Sequence, residues 1–258
     1  MKGVLLFAFN NETVDYYQMA VQTAKRVNKF LNLPVTLVTD SKSLPETTTY
    51  QFDKVIITDA QSDNEKEGKV WINKGRYRAY DLTPYDETLL LDTDYLVNSD
   101  MLLKPFELYD DFMCFKNIKY FMNLEATQEF ISNNCWQTVW ATVIYFKKTQ
   151  RTKQIFQCLE MVQKNYSHYI KLYNIPSTMY RNDYGLTFAL HIVNGNMENK
   201  RDYIPWHLMH VNYDVKVKKL SDTSYQLSKQ NKRHEYINIV DTDFHMLNKE
   251  NFMELVNE

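Results

Sequence analysis

The first hundred residues alternate short apolar segments with amphipathic ones, and this alternation constrains the fold more than any other feature. Strands are predicted at residues 4–9, 34–39, 54–58 and 88–91. Helices are predicted at residues 13–31, capped by Thr13, and at 70–82, with a polar loop at 62–68. Because the strands are continuous apolar runs linked by helices, we expect an α/β fold with a mainly parallel sheet flanked by helices.

The rest of the chain is predicted to be richer in strands. Strands are expected at residues 112–115 and 139–146, and short ones recur from residue 203 onward. Helices are predicted at residues 149–173, 182–192 and 248–256. No repeat, low-complexity tract or linker interrupts the sequence, so we expect a single domain over residues 1–258 with a more β-rich C-terminal third.

Glycine and cysteine contents exclude several common sites. The five glycines form neither G-x-G-x-x-G nor G-x-x-x-x-G-K, which excludes the usual glycine cradles for dinucleotides and triphosphates. The three cysteines, Cys114, Cys135 and Cys158, are odd in number and contain no C-x-x-C. A disulfide framework and a thiolate zinc cluster are therefore not expected, and the pattern fits a reducing compartment.

The longest apolar runs, residues 3–9 and 139–146, are much shorter than the roughly 20 residues of a membrane-spanning helix. The first run follows Lys2 as a signal-peptide core would. However, Asn10, Asn11 and Glu12 stand where small residues should precede a cleavage site. We therefore expect a buried first strand and a cytoplasmic protein.

The most informative motif is the D-T-D of residues 92–94, which closes the apolar strand T-L-L-L. Asp92 and Asp94 project to the same side of an extended chain, and open α/β sheets bind ligands at the carboxyl ends of their strands. Two like charges at such a place favour a divalent cation such as Mg²⁺ or Mn²⁺, which leaves positions free for phosphate oxygens. The plainer interpretation is a pair of turn-capping aspartates. A second D-T-D, at residues 241–243, also follows an apolar run but lacks the preceding α/β half.

Residues 71–80 (WINKGRYRAY) and 84–97 (PYDETLLLDTDYLV) resemble the core of the GT-A fold glycosyltransferases, most closely the glycogenin- and galactosyltransferase-like branch. The resemblance covers about the first 145 residues. It implies a Rossmann-like GT-A fold with a nucleotide-sugar-binding half at residues 1–100 and an acceptor-binding half at 101–258. It also implies a hexosyl- or pentosyltransferase that uses Mn²⁺ or Mg²⁺ and a nucleotide diphosphate sugar, with UDP as the expected nucleotide.

The resemblance also implies roles for individual residues on the donor side. The nucleotide is expected to contact Ala8, Phe9, Asn10, either Tyr16 or Tyr17, and Asp40. Lys74 and Arg78, which are four residues apart on the predicted helix, are the candidates for the family's basic residue that contacts the nucleotide or a phosphate; the alternative is that they are solvated helix charges. Thr142, with its neighbour Ala141, corresponds to small residues beside the donor sugar.

The family's remaining site residues correspond to late segments of the chain. His245 is the expected third metal ligand, with Lys249 on the diphosphate; His210 is the rival source of the imidazole. Asp183 is the expected acidic residue near the sugar and acceptor. It would act as general base in an inverting enzyme and would orient or stabilise in a retaining one. The alternative is a carboxylate favoured by the helix dipole.

Other interpretations remain open at this point. Trp136 and Trp140 form either a stacking wall or part of the core. Nucleotidyltransferases of related fold commonly use a glycine-rich first loop, which F-A-F-N-N-E lacks. Haloacid dehalogenase-like phosphohydrolases place Thr or Val at the position of Leu96. A non-catalytic nucleic-acid-binding module is the third class.

The charge distribution bears on the acceptor. Residues 144–234 carry 15 Lys and Arg against 6 Asp and Glu, whereas the chain as a whole has a net charge of −2. Such a segment either solvates exposed faces or attracts an anionic partner. The chain is also rich in Tyr and Asn and poor in Gly, which is compatible with an AT-rich bacterial or phage genome. The preferred acceptor is therefore a hydroxymethylated base in phage DNA, and the protein would then act in the host cytoplasm. The rival acceptor is a bacterial surface oligosaccharide or lipid-linked sugar, with peripheral contact to an anionic membrane.

Overall fold

The structure is a computed structural model that describes residues 1–47, 50–59, 64–66, 69–71, 73–108, 110–127, 129–132, 136–175, 179–229 and 235–257. In these residues the strands are β1 (Lys2–Phe7), β2 (Val35–Thr39), β3 (Lys54–Ile57), β4 (Asn64–Lys66), β5 (Lys69–Trp71), β6 (Glu87–Leu91), β7 (Tyr95–Leu96), β8 (Phe112–Phe115), β9 (Ile118–Tyr120), β10 (Asn123–Thr127), β11 (Trp140–Lys147), β12 (Leu208–Val211), β13 (Val215–Lys219), β14 (Ser224–Lys229), β15 (Tyr236–Val240) and β16 (Phe244–Met246). The α-helices are α1 (Tyr16–Leu31), α2 (Ala79–Leu82), α3 (Gln150–Lys164), α4 (Tyr166–Leu172), α5 (Asn182–Val193) and α6 (Lys249–Asn257). Short 3-10 helices occur at Lys74–Arg78, Met101–Glu107 and Lys200–Asp202.

A six-stranded sheet in the order β3-β2-β1-β6-β11-β8 forms the centre of the fold. β3, β2, β1 and β6 pair in parallel, and β11 is antiparallel to both β6 and β8. Five strands therefore run in one direction and only β11 runs in the other. The predicted fold class, a mainly parallel sheet with flanking helices, is confirmed.

Helices cover both faces of this sheet, because its inner strands are apolar on both sides. Val4 and Leu6 of β1 pack in the same buried cluster as the apolar face of α1. Leu5, which points to the opposite face, packs in the cluster that contains α3 and α5. Each fully buried aliphatic side chain of this kind contributes about 1.5–3 kcal/mol.

A second sheet, in the order β10-β9-β12-β16-β7, lies beside the end of β6. β16 pairs in parallel with β12 and antiparallel with β7, which follows β6 after a three-residue turn. β13, β14 and β15 form a separate antiparallel sheet. The predicted β-rich C-terminal third is thereby confirmed, and the late strand β16 is placed next to the D-T-D turn.

Several predicted element boundaries are wrong, each for a local reason. α1 begins at Tyr16 rather than Thr13, because the side chain of Asp15 caps it by accepting a hydrogen bond from the Gln18 N–H at 3.0 Å. The helix predicted at 149–173 is divided at Asn165, whose side chain donates to the Met161 carbonyl at 2.8 Å and competes with the helical bonds.

The segment before β6 also differs from the prediction. The helix predicted over 70–82 is instead the end of a strand, a 3-10 helix and a single turn of α-helix. The loop predicted over 62–68 contains β4, which pairs with β5 as a hairpin; the other residues of that loop lie outside the described ranges.

Two further sequence expectations concern membranes and thiols. In the part of the chain that the structure describes, no helix combines the length and apolar character needed to span a bilayer. Cys114 and Cys158 are free thiols, and Cys135 lies outside the described residues.

Gly3 provides a test of the packing between β1 and the turn that precedes β6. A Cβ atom at position 3 would overlap the ring of Tyr85, which is buried. We expect Gly3→Ala to lower the free energy of unfolding by about 1–3 kcal/mol, as overpacking does. Urea denaturation measures this change. Gly75→Ala is the matched control, because nothing lies within 4 Å of a Cβ there; equal effects of the two substitutions would contradict the packing argument.

Candidate functional site

A cavity of about 410 Å³ opens where the carboxyl ends of β1 and β6 meet. β11 runs antiparallel to β6, so its first residues reach the same edge of the sheet. The start of α5 and the segment from β16 to α6 complete the wall. We call this space the edge cavity; it lies where open α/β sheets bind their ligands.

The D-T-D turn and β16 bring three metal-ligating groups together in the edge cavity. Asp92, Asp94 and His245 each offer one ligand atom, and these atoms lie within 4.8 Å of one another. The Nε2 atom of His245 is 3.1 Å from Oδ2 of Asp94. Two carboxylates and an imidazole at this spacing suit one divalent cation, so the residues fit the metal that the sequence implies.

Two cations offset the repulsion between the carboxylates. The guanidinium of Arg76 contacts Asp92, and its Nη2 donates to the Ala141 carbonyl at 3.0 Å. The ammonium of Lys249, at the start of α6, contacts Asp94. Burial lowers the pKa of Lys249 to about 8, against the opposing attraction of Asp92. Each carboxylate thus has its own cation, which offsets the repulsion between the two like charges.

Arg76 is the site residue that sequence reasoning missed. Lys74 and Arg78 were expected to share one face of an α-helix, but this segment is a 3-10 helix with about three residues per turn. Residues four apart then point in different directions. Arg78 borders a small depression behind Phe9 instead of the edge cavity, and the side chain of Lys74 lies outside the described part. The sequence shows only that basic residues alternate here, not which one faces inward.

The second imidazole, His210, lies behind the first. Its Nδ1 atom is 3.1 Å from Nδ1 of His245, and its ring is 1% exposed. His210 is absent from the lining of the edge cavity, whereas His245 belongs to it. Burial lowers the pKa of both rings, and that of His210 falls to about 2 with a further contribution from His245.

Asp183 lies in the first turn of α5 and lines the edge cavity. Its Oδ1 accepts a hydrogen bond from the Ala141 N–H at 2.9 Å, and its Oδ2 accepts one from Arg181 at 3.0 Å. Both carboxylate oxygens are therefore engaged, and the side chain is fixed against the start of β11.

The residues expected to contact the nucleotide or the donor sugar separate into two groups. Phe9, Tyr16 and Thr142 line the edge cavity. The others lie outside its lining: Ala8 and Tyr17 are core residues, and the side chains of Asn10 and Asp40 accept hydrogen bonds from the backbone N–H groups of residues 17 and 43.

The two tryptophans also differ in their surroundings. Trp140 lines the edge cavity although only 6% of it is exposed. Trp136 stacks on the ring of His191, with 4.0 Å between centroids and an angle of 8° between planes, and belongs to a separate apolar cluster.

The second D-T-D is a structural turn. Asp241 adopts a left-handed conformation with φ of 47°. Oδ1 of Asp243 accepts hydrogen bonds from the Asn98 N–H at 2.6 Å and from the Ser99 hydroxyl at 3.1 Å. Burial raises the pKa of Asp243 to about 6 despite these bonds. This motif anchors the start of β16 beside the chain that follows β7.

Comparisons with known proteins add the following. No protein-family model matches the chain, and no curated protein matches it in sequence. Among solved structures, the galactosyltransferase LgtC in complex with donor and acceptor sugar analogs is 15% identical, with 73% of this chain and 70% of that chain covered and a TM-score of 0.47. The glycosyltransferase GlyE of Streptococcus pneumoniae TIGR4 is 15% identical, with 79% and 45% covered and a TM-score of 0.40. Mouse xyloside xylosyltransferase 1 is 10% identical, with 76% and 84% covered and a TM-score of 0.43. All three are named as sugar transferases.

The buried His210 predicts how stability depends on pH. Its pKa in the folded chain is below the unfolded value of about 6.5, so the unfolded chain binds more protons as the pH falls below 6.5. The contribution of the neutral His210 to the free energy of unfolding is therefore fully present above pH 6.5 and is lost as the pH falls. We expect the free energy of unfolding to decrease between pH 6 and pH 4 more steeply in the wild type than in His210→Asn, by up to about 1.4 kcal/mol per pH unit. Urea denaturation across this range measures both slopes; identical slopes would contradict the prediction.

Proposed function

We propose that this protein is a metal-dependent glycosyltransferase that moves a sugar from a nucleotide diphosphate to an acceptor hydroxyl. The observation that carries the proposal is the convergence of Asp92, Asp94 and His245 within 4.8 Å in the edge cavity. Arg76 and Lys249 flank this group, so the cavity offers both a cation site and positive side chains for a diphosphate. The proposed donor is a UDP-sugar, carrying a hexose or a pentose.

The ligand set favours Mn²⁺ over Mg²⁺, because an imidazole joins the two carboxylates and Mg²⁺ prefers oxygen ligands. Asp92, Asp94 and His245 would hold the ion. When bound, the ion supplies Lewis-acid neutralisation of the charge that develops on the departing diphosphate.

Arg76 and Lys249 prepare the site for an anion. Arg76 ties the Asp92 carboxylate to the carbonyl of Ala141, so it fixes the D-T-D turn against the start of β11. Lys249 places a positive charge on the other side of the carboxylate pair, against Asp94. Diphosphate oxygens that enter between these side chains would gain charge-assisted hydrogen bonds.

Asp183 is proposed to orient the donor sugar rather than to act as a free base. Both of its oxygens already accept hydrogen bonds, from the Ala141 N–H and from Arg181. A fixed carboxylate suits hydrogen bonding to sugar hydroxyls, which is the orienting role expected in a retaining enzyme. Phe9 and Tyr16, which also line the edge cavity, would contact the nucleotide base.

The proposed acceptor is anionic, with a hydroxymethylated base in DNA as the preferred form. Lys216 and Lys218 are exposed on the outer face of β13, and Tyr213, which is 65% exposed, leads from that strand into the edge cavity. The exposed lysines of β13 would attract phosphates, and a modified base would have to leave the stack to reach the site. The alternative is a surface oligosaccharide or lipid-linked sugar on an anionic membrane.

Asp94→Asn tests the cation site. We expect it to weaken Mn²⁺-dependent binding of UDP at least tenfold, because a neutral amide replaces one of the two anionic ligands. Calorimetric titration with UDP in the presence and absence of Mn²⁺ measures the effect. Asp241→Asn is the matched control, since it makes the same change in the structural D-T-D, where Asn tolerates the left-handed backbone. UDP binding that is equally strong without Mn²⁺, or unchanged by Asp94→Asn, would refute the proposed site.

The acceptor is tested by sugar transfer with a panel of nucleotide sugars and Mn²⁺. We expect transfer to hydroxymethylated DNA but not to plain DNA, and a steep fall in rate between 50 and 200 mM salt. The double variant Lys216→Gln and Lys218→Gln should reduce this salt dependence, whereas Lys164→Gln on α3, an exposed control, should not. Transfer to a lipid-linked sugar alone would favour the alternative acceptor, and no turnover of any donor by folded protein would count against the enzyme.

A further inference from the structure

We propose that His210 is a positioning residue that fixes the protonation of His245 so that its Nε2 can bind the metal. The proposal rests on the function proposed above and concerns the imidazole behind the cavity wall. The Nδ1 atoms of the two rings are 3.1 Å apart, which is a hydrogen-bonding distance. This contact joins the two adjacent strands β12 and β16, in which positions 210 and 245 are direct partners.

An Nδ1–Nδ1 hydrogen bond needs one donor and one acceptor, so the protons on the two neutral rings are coupled. In one arrangement His245 carries its proton on Nε2, facing Asp94, and His210 donates through Nδ1. In the other, His245 carries its proton on Nδ1 and donates to His210. Only the second arrangement presents a lone pair of His245 Nε2 to the edge cavity, and a metal ligand needs that lone pair.

The change between the two arrangements is balanced. Each arrangement holds one proton on each ring: on Nε2 of His245 and Nδ1 of His210 in the first, and on Nδ1 of His245 and Nε2 of His210 in the second. The net charge of the pair does not change. Among the described residues, His210 lies within hydrogen-bonding distance of Nδ1 of His245. His210 therefore decides whether a proton on Nδ1 of His245 has an acceptor.

The surroundings of His210 hold its ring in place without competing for its Nδ1. The ring meets Tyr120 edge to face at 4.9 Å between centroids, and it is tilted against Trp140 at 5.7 Å. Its Nε2 is buried and has no hydrogen-bond partner in the part of the chain that the structure describes. A buried polar ring among aromatic side chains is costly, and packing alone would favour an apolar residue. The hydrogen bond to His245 gives the imidazole a role that an apolar side chain cannot fill.

Mn²⁺ affinity of three variants at position 210 tests this role. The full chain is titrated with Mn²⁺ alone, and the free ion is followed by electron paramagnetic resonance. His210→Leu removes the acceptor, and we expect it to weaken Mn²⁺ binding about 10- to 100-fold, as loss of a ligand-orienting partner does. His210→Asn places an amide oxygen near the position of Nδ1, so it should retain affinity within about threefold. His210→Gln carries its amide one bond farther and should behave like His210→Leu.

His191→Leu is the matched control, because His191 is also a buried imidazole packed on a tryptophan but lies outside the edge cavity. It should leave Mn²⁺ affinity unchanged. Equal affinity of the wild type and His210→Leu would overturn the positioning role alone, as would equal losses in His210→Asn and His210→Leu. If His210→Leu does not fold, the comparison of His210→Asn with His210→Gln decides. A wild type that binds no Mn²⁺ would overturn both this inference and the proposed metal site.

Discussion

The repulsion between two carboxylates at the end of one buried strand is the constraint on which the rest of the site depends. β6 delivers Asp92 and Asp94 to the same edge of the sheet, where both line the edge cavity and repel each other. Arg76 contacts Asp92, and Lys249 and the imidazole of His245 contact Asp94, so each carboxylate has a partner that offsets the repulsion. Arg76 comes from the segment before β6, whereas His245 and Lys249 come from β16 and the start of α6, so the charge balance of the cavity is a property of the tertiary structure.

The strand β16 places an imidazole beside the D-T-D motif of residues 92–94. It lies between β12 and β7 and carries an imidazole to within 3.1 Å of a carboxylate 151 positions earlier in the chain. Its start is anchored because Asn98 donates its N–H to Asp243 and its side-chain amide to the carbonyl of Thr242, each at 2.6 Å. The second acidic motif thus supports the first without taking part in its chemistry.

Hydrophobic periodicity predicted the strands of the central sheet well, because continuous apolar runs are typical of strands that are buried on both faces of a parallel sheet. It failed where local hydrogen bonds compete with a regular helix. Asn165 divides a segment that reads as one helix, and residues 74–78 form a 3-10 turn whose period moves Arg76 into the cavity. The carboxylate pair and the rival histidines were identifiable from sequence, whereas Arg76 was not, since the pattern of alternating basic residues does not encode the helical period.

The sequence by itself determined that an apolar strand ends in two carboxylates, that the chain alternates strands and helices before them, and that glycine cradles are absent. Only the tertiary structure decided which cations meet these carboxylates and which histidine faces them. It placed His245 in the cavity and His210 behind it, although both follow apolar residues. The physical reason is that side-chain identity is local, whereas charge pairing depends on strand register and on which strands become neighbours, and those are fixed by burial across the whole chain.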